Sequence, residues 1–289
     1  PAGSRKAKAG GRAPGVPRAM RRAWEGLARE TGWPLAFAGE RREVASPTGT
    51  PAPAGAADPT GTPAPAWTAG YVLDDLPAGC GAGGGDARSL DMRVSPESFV
   101  QPNRAGNRAL VRAALEAASL PEGARALDLY CGAGNFTVPL AGRAARVAGV
   151  ESSPFSLSDA EANARAAGRE NVRFLRREAG RLEAGEAMDL LEGRPDLILL
   201  DPPRRGALEA IPLVEALAPR RVVYVSCNPA TFARDARALE AGGYRMASAL
   251  LAPMFPNTAH VETVTSWLRG EDSPSPEEEA RPMEEASCS

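Results

Sequence analysis

Val222-Val223-Tyr224-Val225-Ser226-Cys227-Asn228-Pro229 is an apolar, β-branched run that ends on a cysteine and is cut off by a proline. A run that is hydrophobic at both alternating sets of positions reads as a strand buried on both faces, as in a parallel sheet. Toward the N-terminus the same kind of run recurs at Asp196–Leu200, Asn171–Leu175, Arg146–Val150 and Ala126–Tyr130. Helical spacing fills the gaps at 107–119, 136–142, 155–167, 180–192 and 207–217. A further helix is expected over 230–241, closed by Gly242-Gly243. Strands alternating with helices predict an α/β fold with a doubly wound parallel sheet. Two last strands, near 244–251 and 261–268, follow each other without a helix, so an antiparallel C-terminal edge is expected.

Upstream of 106 the pattern is poorer. Residues 1–19 are rich in Gly, Pro, Arg and Lys and read as disordered. A short helix is expected over 20–31, a Pro/Ala/Gly/Thr linker or insertion over 46–66 and a Gly-rich loop over 78–88. Strands are expected within 67–76 and 90–100, which together make a small partial β region. The predicted organisation is a basic, partly disordered N-terminal region over 1–93, the main domain over 94–269, and an acidic disordered tail over 270–289.

Charge is spread unevenly. The 289 residues carry a formal net charge of -2, yet residues 1–42 hold ten cations against three acids, and residues 270–289 hold seven acids and one Arg. A basic arm beside an acidic tail hints at nucleic-acid contact, although two solvated ends explain it as well. Apart from Lys6 and Lys8 every cation is Arg. The four cysteines, Cys80, Cys131, Cys227 and Cys288, show no metal-ligand spacing, and His260 is the only histidine, so no metal site is expected. With no apolar run of membrane-spanning length and no signal peptide, a reduced, cytoplasmic, monomeric protein with no membrane contact is expected.

In an open α/β sheet the ligand crevice lies at the carboxyl ends of the strands. The residues that end these strands therefore carry the chemistry. After the first one comes Asp128-Leu-Tyr-Cys-Gly-Ala-Gly-Asn135, whose glycines let backbone approach a ligand closely. A dinucleotide fingerprint needs a third glycine where Thr137 stands, which argues against a nicotinamide or flavin enzyme. Glu151 ends the next strand, where an acid can accept from both hydroxyls of a ribose. A ribose without a pyrophosphate fits S-adenosylmethionine. Asp201-Pro202-Pro203-Arg204 ends a third strand; its prolines cannot continue the ladder and stiffen a loop facing the crevice.

Cys227 by position alone suits a buried core thiol equally well. Its other reading is a nucleophile. A thiolate that adds to carbon 6 of a uracil makes carbon 5 nucleophilic toward a methyl donor. A separate base must then remove the carbon 5 proton. Glu262 begins the last strand, and beside a crevice it would be a desolvated base with a raised pKa. The Asn228-Pro229 turn and the helix start after it are expected to help Cys227 ionise.

Six stretches then carry a resemblance: Ser98-Phe-Val-Gln-Pro-Asn103, Asp128 to Phe136, Glu151, Asp201-Pro-Pro-Arg204, Ser226-Cys-Asn-Pro-Ala-Thr231 and Phe255-Pro-Asn-Thr-Ala-His-Val-Glu262. In this order, from about 94 to 269, the chain resembles the RNA (uracil-5-)-methyltransferase family. The resemblance implies a Rossmann-like class I methyltransferase sheet, S-adenosylmethionine as methyl donor and RNA as partner. It makes Cys227 the nucleophile and Glu262 the base. It places Gln101, Tyr130, Asn135, Glu151 and Asp201 on the donor and Phe99 near the flipped base, and Arg204 is expected on the substrate side. The wording around Cys227 and Met254-Phe-Pro-Asn-Thr258 is closer to the 23S ribosomal RNA branch than to the transfer RNA branch. The family's N-terminal RNA-binding barrel and four-cysteine iron–sulfur site have no counterpart in these residues. A transfer RNA enzyme and a catalytically weak RNA-binding homologue are the alternatives.

Overall fold

The computed structural model describes residues 36–37, 69–73, 89–254 and 261–270. The helix expected at 20–31, the linker at 46–66, the loop at 78–88 and the tail beyond Gly270 lie outside the described residues, as does the stretch 255–260. The strands are β1 (Ala36–Phe37), β2 (Ala69–Leu73), β3 (Leu90–Val94), β4 (Arg125–Leu129), β5 (Arg146–Glu151), β6 (Val172–Arg176), β7 (Leu197–Leu200), β8 (Arg221–Ser226), β9 (Tyr244–Pro253) and β10 (Val261–Arg269). The helices are α1 (Arg104–Ala118), α2 (Thr137–Leu140), α3 (Pro154–Ala166), α4 (Ala184–Leu191), α5 (Ile211–Leu217) and α6 (Pro229–Ala241).

The main sheet runs β1-β9-β10-β8-β7-β4-β5-β6, and β2 and β3 form a separate hairpin. From β8 to β6 all neighbours are parallel. β10 is antiparallel to both β8 and β9, so the last strand inserts between its two predecessors. The doubly wound sheet and its antiparallel edge are thus both present.

Apolar runs are needed on both faces because both faces are covered. Leu127, Leu129, Ile198, Leu200, Val222 and Tyr224 point into one core with residues of α4, α5 and α6. Ala126, Leu197, Leu199, Val223 and Val225 point into the other, with α1, α2 and the β2–β3 hairpin. The hairpin contributes Leu73, Leu90, Met92 and Val94, following the alternating burial of β3. On the first face Tyr224, Phe232 and Trp267 form an aromatic file, with ring centroids 5.5 and 6.4 Å apart.

Among the element ends that differ from the sequence reading, three have a clear local reason. α1 starts at Arg104 because the Asn103 side chain accepts from Gly106 N–H and caps it. The helix expected over 180–192 is split: Leu182 is extended, and Glu183 with Glu186 forms a capping box that starts α4 anew. The strand expected over 90–100 stops at Val94, where Ser95 opens a turn with Pro96 at its second position, closed by Ser98 N–H donating to the Ser95 carbonyl at 3.1 Å.

Candidate active site

A cavity of about 790 Å³ opens over the carboxyl ends of β4, β5, β7 and β8. It is lined by all nine residues singled out in the sequence: Phe99, Gln101, Tyr130, Asn135, Glu151, Asp201, Arg204, Cys227 and Glu262.

The thiol and the second acid meet through the sheet. In the β8–β10 ladder Ser226 is paired with Thr263. Carrying that antiparallel register one residue further sets Cys227 opposite Glu262, and directly opposed residues share a face of the sheet. The two are far apart in sequence, and the backbone pairing of their chain neighbours Ser226 and Thr263 brings them to the same end of the ladder. Cys227 is exposed to the cavity, whereas Cys131 is buried beneath the glycine turn.

Glu262 is only 8% exposed. Burial pushes its pKa up to about 7, opposed by a hydrogen bond from Gln101 and the charge of Arg204. A carboxyl balanced near neutrality is suited to accept a proton. The thiol differs from expectation. Desolvation first, then the charges of Glu262 and Asp201, raise the Cys227 pKa, with Arg204 and a backbone hydrogen bond pulling it down. The helix start therefore does not by itself leave a low-pKa thiol, because desolvation first, and then two acids from distant strands, push it up. Asp201 is pushed well above the usual carboxylate range by burial and by Glu262 and Asp128.

Arg204 is held where it faces these groups. Its carbonyl accepts from Asn228 Nδ2 at 3.0 Å and Thr231 Oγ1 at 3.1 Å. Asn228 also caps α6 by accepting from Ala230 N–H. Below, the fully buried Asp235 accepts from Ala207 N–H at 2.6 Å and the Tyr224 hydroxyl at 2.7 Å, and pairs with Arg234, which donates to the Arg205 carbonyl. The Asp-Pro-Pro-Arg loop is thus pinned to the helix that follows the cysteine.

The glycine turn fits a ribose-bearing ligand better than a pyrophosphate. Gly132 and Gly134 have φ of 53° and 87°, and a Cβ on Gly134 would stand 3.0 Å from Val138 Cγ2. Gly132 N–H, which a phosphate would need, donates instead to Glu151 Oε2 at 3.1 Å. Glu151 Oε1 is saturated by Ser152 N–H, Ser153 N–H and the Ser152 hydroxyl. Oε2 keeps capacity to accept from a diol. Thr137, in place of a third glycine, donates its hydroxyl to Asp128 Oδ2 at 2.5 Å. Tyr130 takes a left-handed φ of 65°, and its buried hydroxyl lies beside Glu209. The Asn135 amide exchanges two 3.0 Å hydrogen bonds with Asn107 on α1, which fix the turn where Asn135 lines the cavity.

Phe99 is 77% exposed at the cavity. Sequence reading missed Asp159, Asn163 and Asp235. The available signal was a polar residue on the buried stripe of a helix, which has many structural explanations.

Among the described residues no group of His, Cys, Asp and Glu is arranged to hold a metal ion, and no helix is long and apolar enough to cross a membrane.

Comparisons with known proteins place this geometry. The 23S rRNA (uracil(1939)-C(5))-methyltransferase RlmD of Alkalilimnicola ehrlichii is 46% identical over 175 residues, covering 60% of this chain and 39% of the relative. That of Pseudomonas aeruginosa is 45% identical over 181 residues, covering 63% and 40%. The chain thus spans about two fifths of the length of the curated relatives it matches. The Pyrococcus abyssi tRNA (uracil-54, C5)-methyltransferase, solved with S-adenosyl-L-homocysteine, superposes with a TM-score of 0.53 at 32% identity, covering 62% of this chain and 42% of that one. A family model described as tRNA (Uracil-5-)-methyltransferase matches residues 85–269, more than half of the chain, and with this sheet and this cavity the chain belongs to that family.

Proposed function

We propose that the chain methylates carbon 5 of a uridine in 23S ribosomal RNA with S-adenosylmethionine as donor, through a covalent bond between Cys227 and the base. The observation that carries the reading is the β8–β10 register that sets Cys227 opposite Glu262 at the mouth of the cavity. The donor would supply a methyl carbon on a positively charged sulfur, whose charge would favour the ionised forms of Asp201 and Glu262 that burial disfavours. Glu151 Oε2 accepts from the ribose hydroxyls; Gln101, Tyr130 and the turn through Asn135 shape the rest of the donor site.

Cys227 loses its proton and adds to carbon 6 of a uracil stacked near Phe99. The added electron density lets carbon 5 take the methyl group. Glu262, balanced near pH 7, removes the proton from carbon 5, the double bond re-forms and the thiolate leaves. The base must be extruded from its stack to enter, at a cost of a few kcal/mol. Ribosomal rather than transfer RNA is favoured by relatives named for 23S rRNA at 45–46% identity, against 32% for the transfer RNA enzyme.

The test is incubation with methyl-labelled donor and separate 23S rRNA and tRNA pools. We expect label on carbon 5 of a uridine in the ribosomal pool. Label only in tRNA would move the substrate to the other branch. RNA bearing 5-fluorouridine should give a gel shift that survives denaturation and requires the donor, because fluorine cannot leave as a proton does. An active wild type without that adduct, or an active Cys227→Ala, removes the covalent mechanism.

A further inference from the structure

We propose that α3 is a positioning element that ties the segment carrying Phe99 and Gln101 to the glycine turn, through Asp159 and Asn163. The proposal rests on the functional reading above and goes beyond it by adding two residues outside the cavity to the machinery. Both side chains are 2% exposed and lie one helical turn apart. Asp159 Oδ2 accepts from Ser95 N–H at 2.8 Å, the Ser95 hydroxyl at 2.8 Å and the Ser98 hydroxyl at 2.5 Å. These charge-assisted bonds hold the turn that delivers Phe99 over the cavity. Asn163 Oδ1 accepts from Arg93 N–H at 2.9 Å, while its Nδ2 donates to the Arg93 carbonyl at 2.8 Å and the Ala133 carbonyl at 3.0 Å.

One amide thus bridges the end of β3 and the middle of the Cys131–Asn135 turn. The same helix begins where Ser152 and Ser153 hold Glu151. So a thirteen-residue helix fixes the ribose acceptor at its start and the base-side segment one to two turns along. The bonds of Asp159 end on Ser95 and Ser98, which flank the lining residues Glu97 and Phe99, and one bond of Asn163 ends on the lining residue Ala133. Their positioning role is to keep the target base in register with the donor, and donor seated on the turn should in turn steady the Phe99 segment.

The experiment uses the full chain with Asp159→Ala, Asn163→Ala and the milder Ser98→Ala. Amide hydrogen exchange is read at 94–103 and 130–136 with and without S-adenosylmethionine, alongside donor affinity and turnover on RNA. For Asp159→Ala we expect exchange at 94–103 to speed about tenfold and kcat to fall about tenfold, with donor affinity within about twofold. For Asn163→Ala exchange should rise in both segments, donor affinity should weaken about fivefold, and donor should no longer slow exchange at 94–103. Ser98→Ala should fall between wild type and Asp159→Ala, and Asp159→Asn, which keeps an acceptor oxygen, should recover part of the turnover. Exchange at 94–103 equal to wild type in Asp159→Ala, or an equal loosening across the whole chain, would overturn the proposal. A wild type that labels no RNA would sink the functional reading alone, since the exchange pattern judges the clamp independently.

Discussion

Replacing Glu262 with Gln should abolish turnover and yet stabilise the fold, and the gain should depend on pH. Burial raises this carboxyl from an ordinary 4.5 to about 7. At 1.36 kcal/mol for each tenfold change in proton affinity, the ionised form costs the folded state about 3 kcal/mol. Below about pH 4.5 the group is protonated in the folded and unfolded chain alike and costs nothing. From there to about pH 7 the unfolded chain gives up the proton first, so the folded state loses stability as pH rises. Above pH 7 the deficit is constant. Glu262→Gln removes it while its amide oxygen still accepts from Gln101. The variant should therefore match wild type near pH 4.5 and exceed it by up to about 3 kcal/mol at pH 8, about 6–12 °C in Tm. Urea unfolding at both pH values measures the double difference, which also contains the relief of Asp201 and Cys227, since Glu262 raises the pKa of both. A variant no more stable than wild type at pH 8 would refute the desolvation argument. Wild-type turnover should rise along its acid limb through about pH 7, the range in which Glu262 becomes able to accept a proton.

Arg204→Ala should slow alkylation of Cys227 by iodoacetamide at pH 8 about threefold, the scale of one screened charge near a thiol. Glu262→Gln should speed it, because these two charges act on the thiol in opposite directions. Labelling is read by mass spectrometry at Cys227, and a common direction for both variants would contradict the electrostatics. Asp235→Ala should cost about 3 kcal/mol in urea unfolding, since it leaves the Tyr224 hydroxyl and the Ala207 N–H buried without an acceptor. A loss below about 0.5 kcal/mol would show that the network holds the Asp-Pro-Pro-Arg loop without it.

The parallel sheet was legible because β4, β7 and β8 are apolar on both alternating faces, and helical spacing fills the gaps between the strands. The same property exposed much of the site: Glu151, Asp201 and Cys227 each stand at or just after a strand end. The match between Cys227 and Glu262 was not legible as geometry. It depends on a register between β8 and β10 that no local pattern encodes, since hydrophobic alternation alone sets a strand's face and not its partner. For the same reason the thiol was expected to be helped by its own helix start. The burial that raises its pKa most, and the acids that add to it from the end of β7 and from β10, are beyond the reach of a local reading. Asp159 and Asn163 stayed hidden because a buried polar pair on a helix announces its partners only after the chain has folded.

The insertion of β10 between β8 and β9 has a consequence for how the protein is made. Residues leave the ribosome in order, and β9 emerges before β10, yet β9 joins β8 only through β10. Until residues 261–269 have been synthesised, β8 has a bare edge and Cys227 has no base across from it. On the proposed mechanism, a nascent chain that already carries the thiol would lack the group that takes the carbon 5 proton and lets the base go. With Glu262 on the interleaved strand β10, the proposed turnover would wait until the sheet is closed.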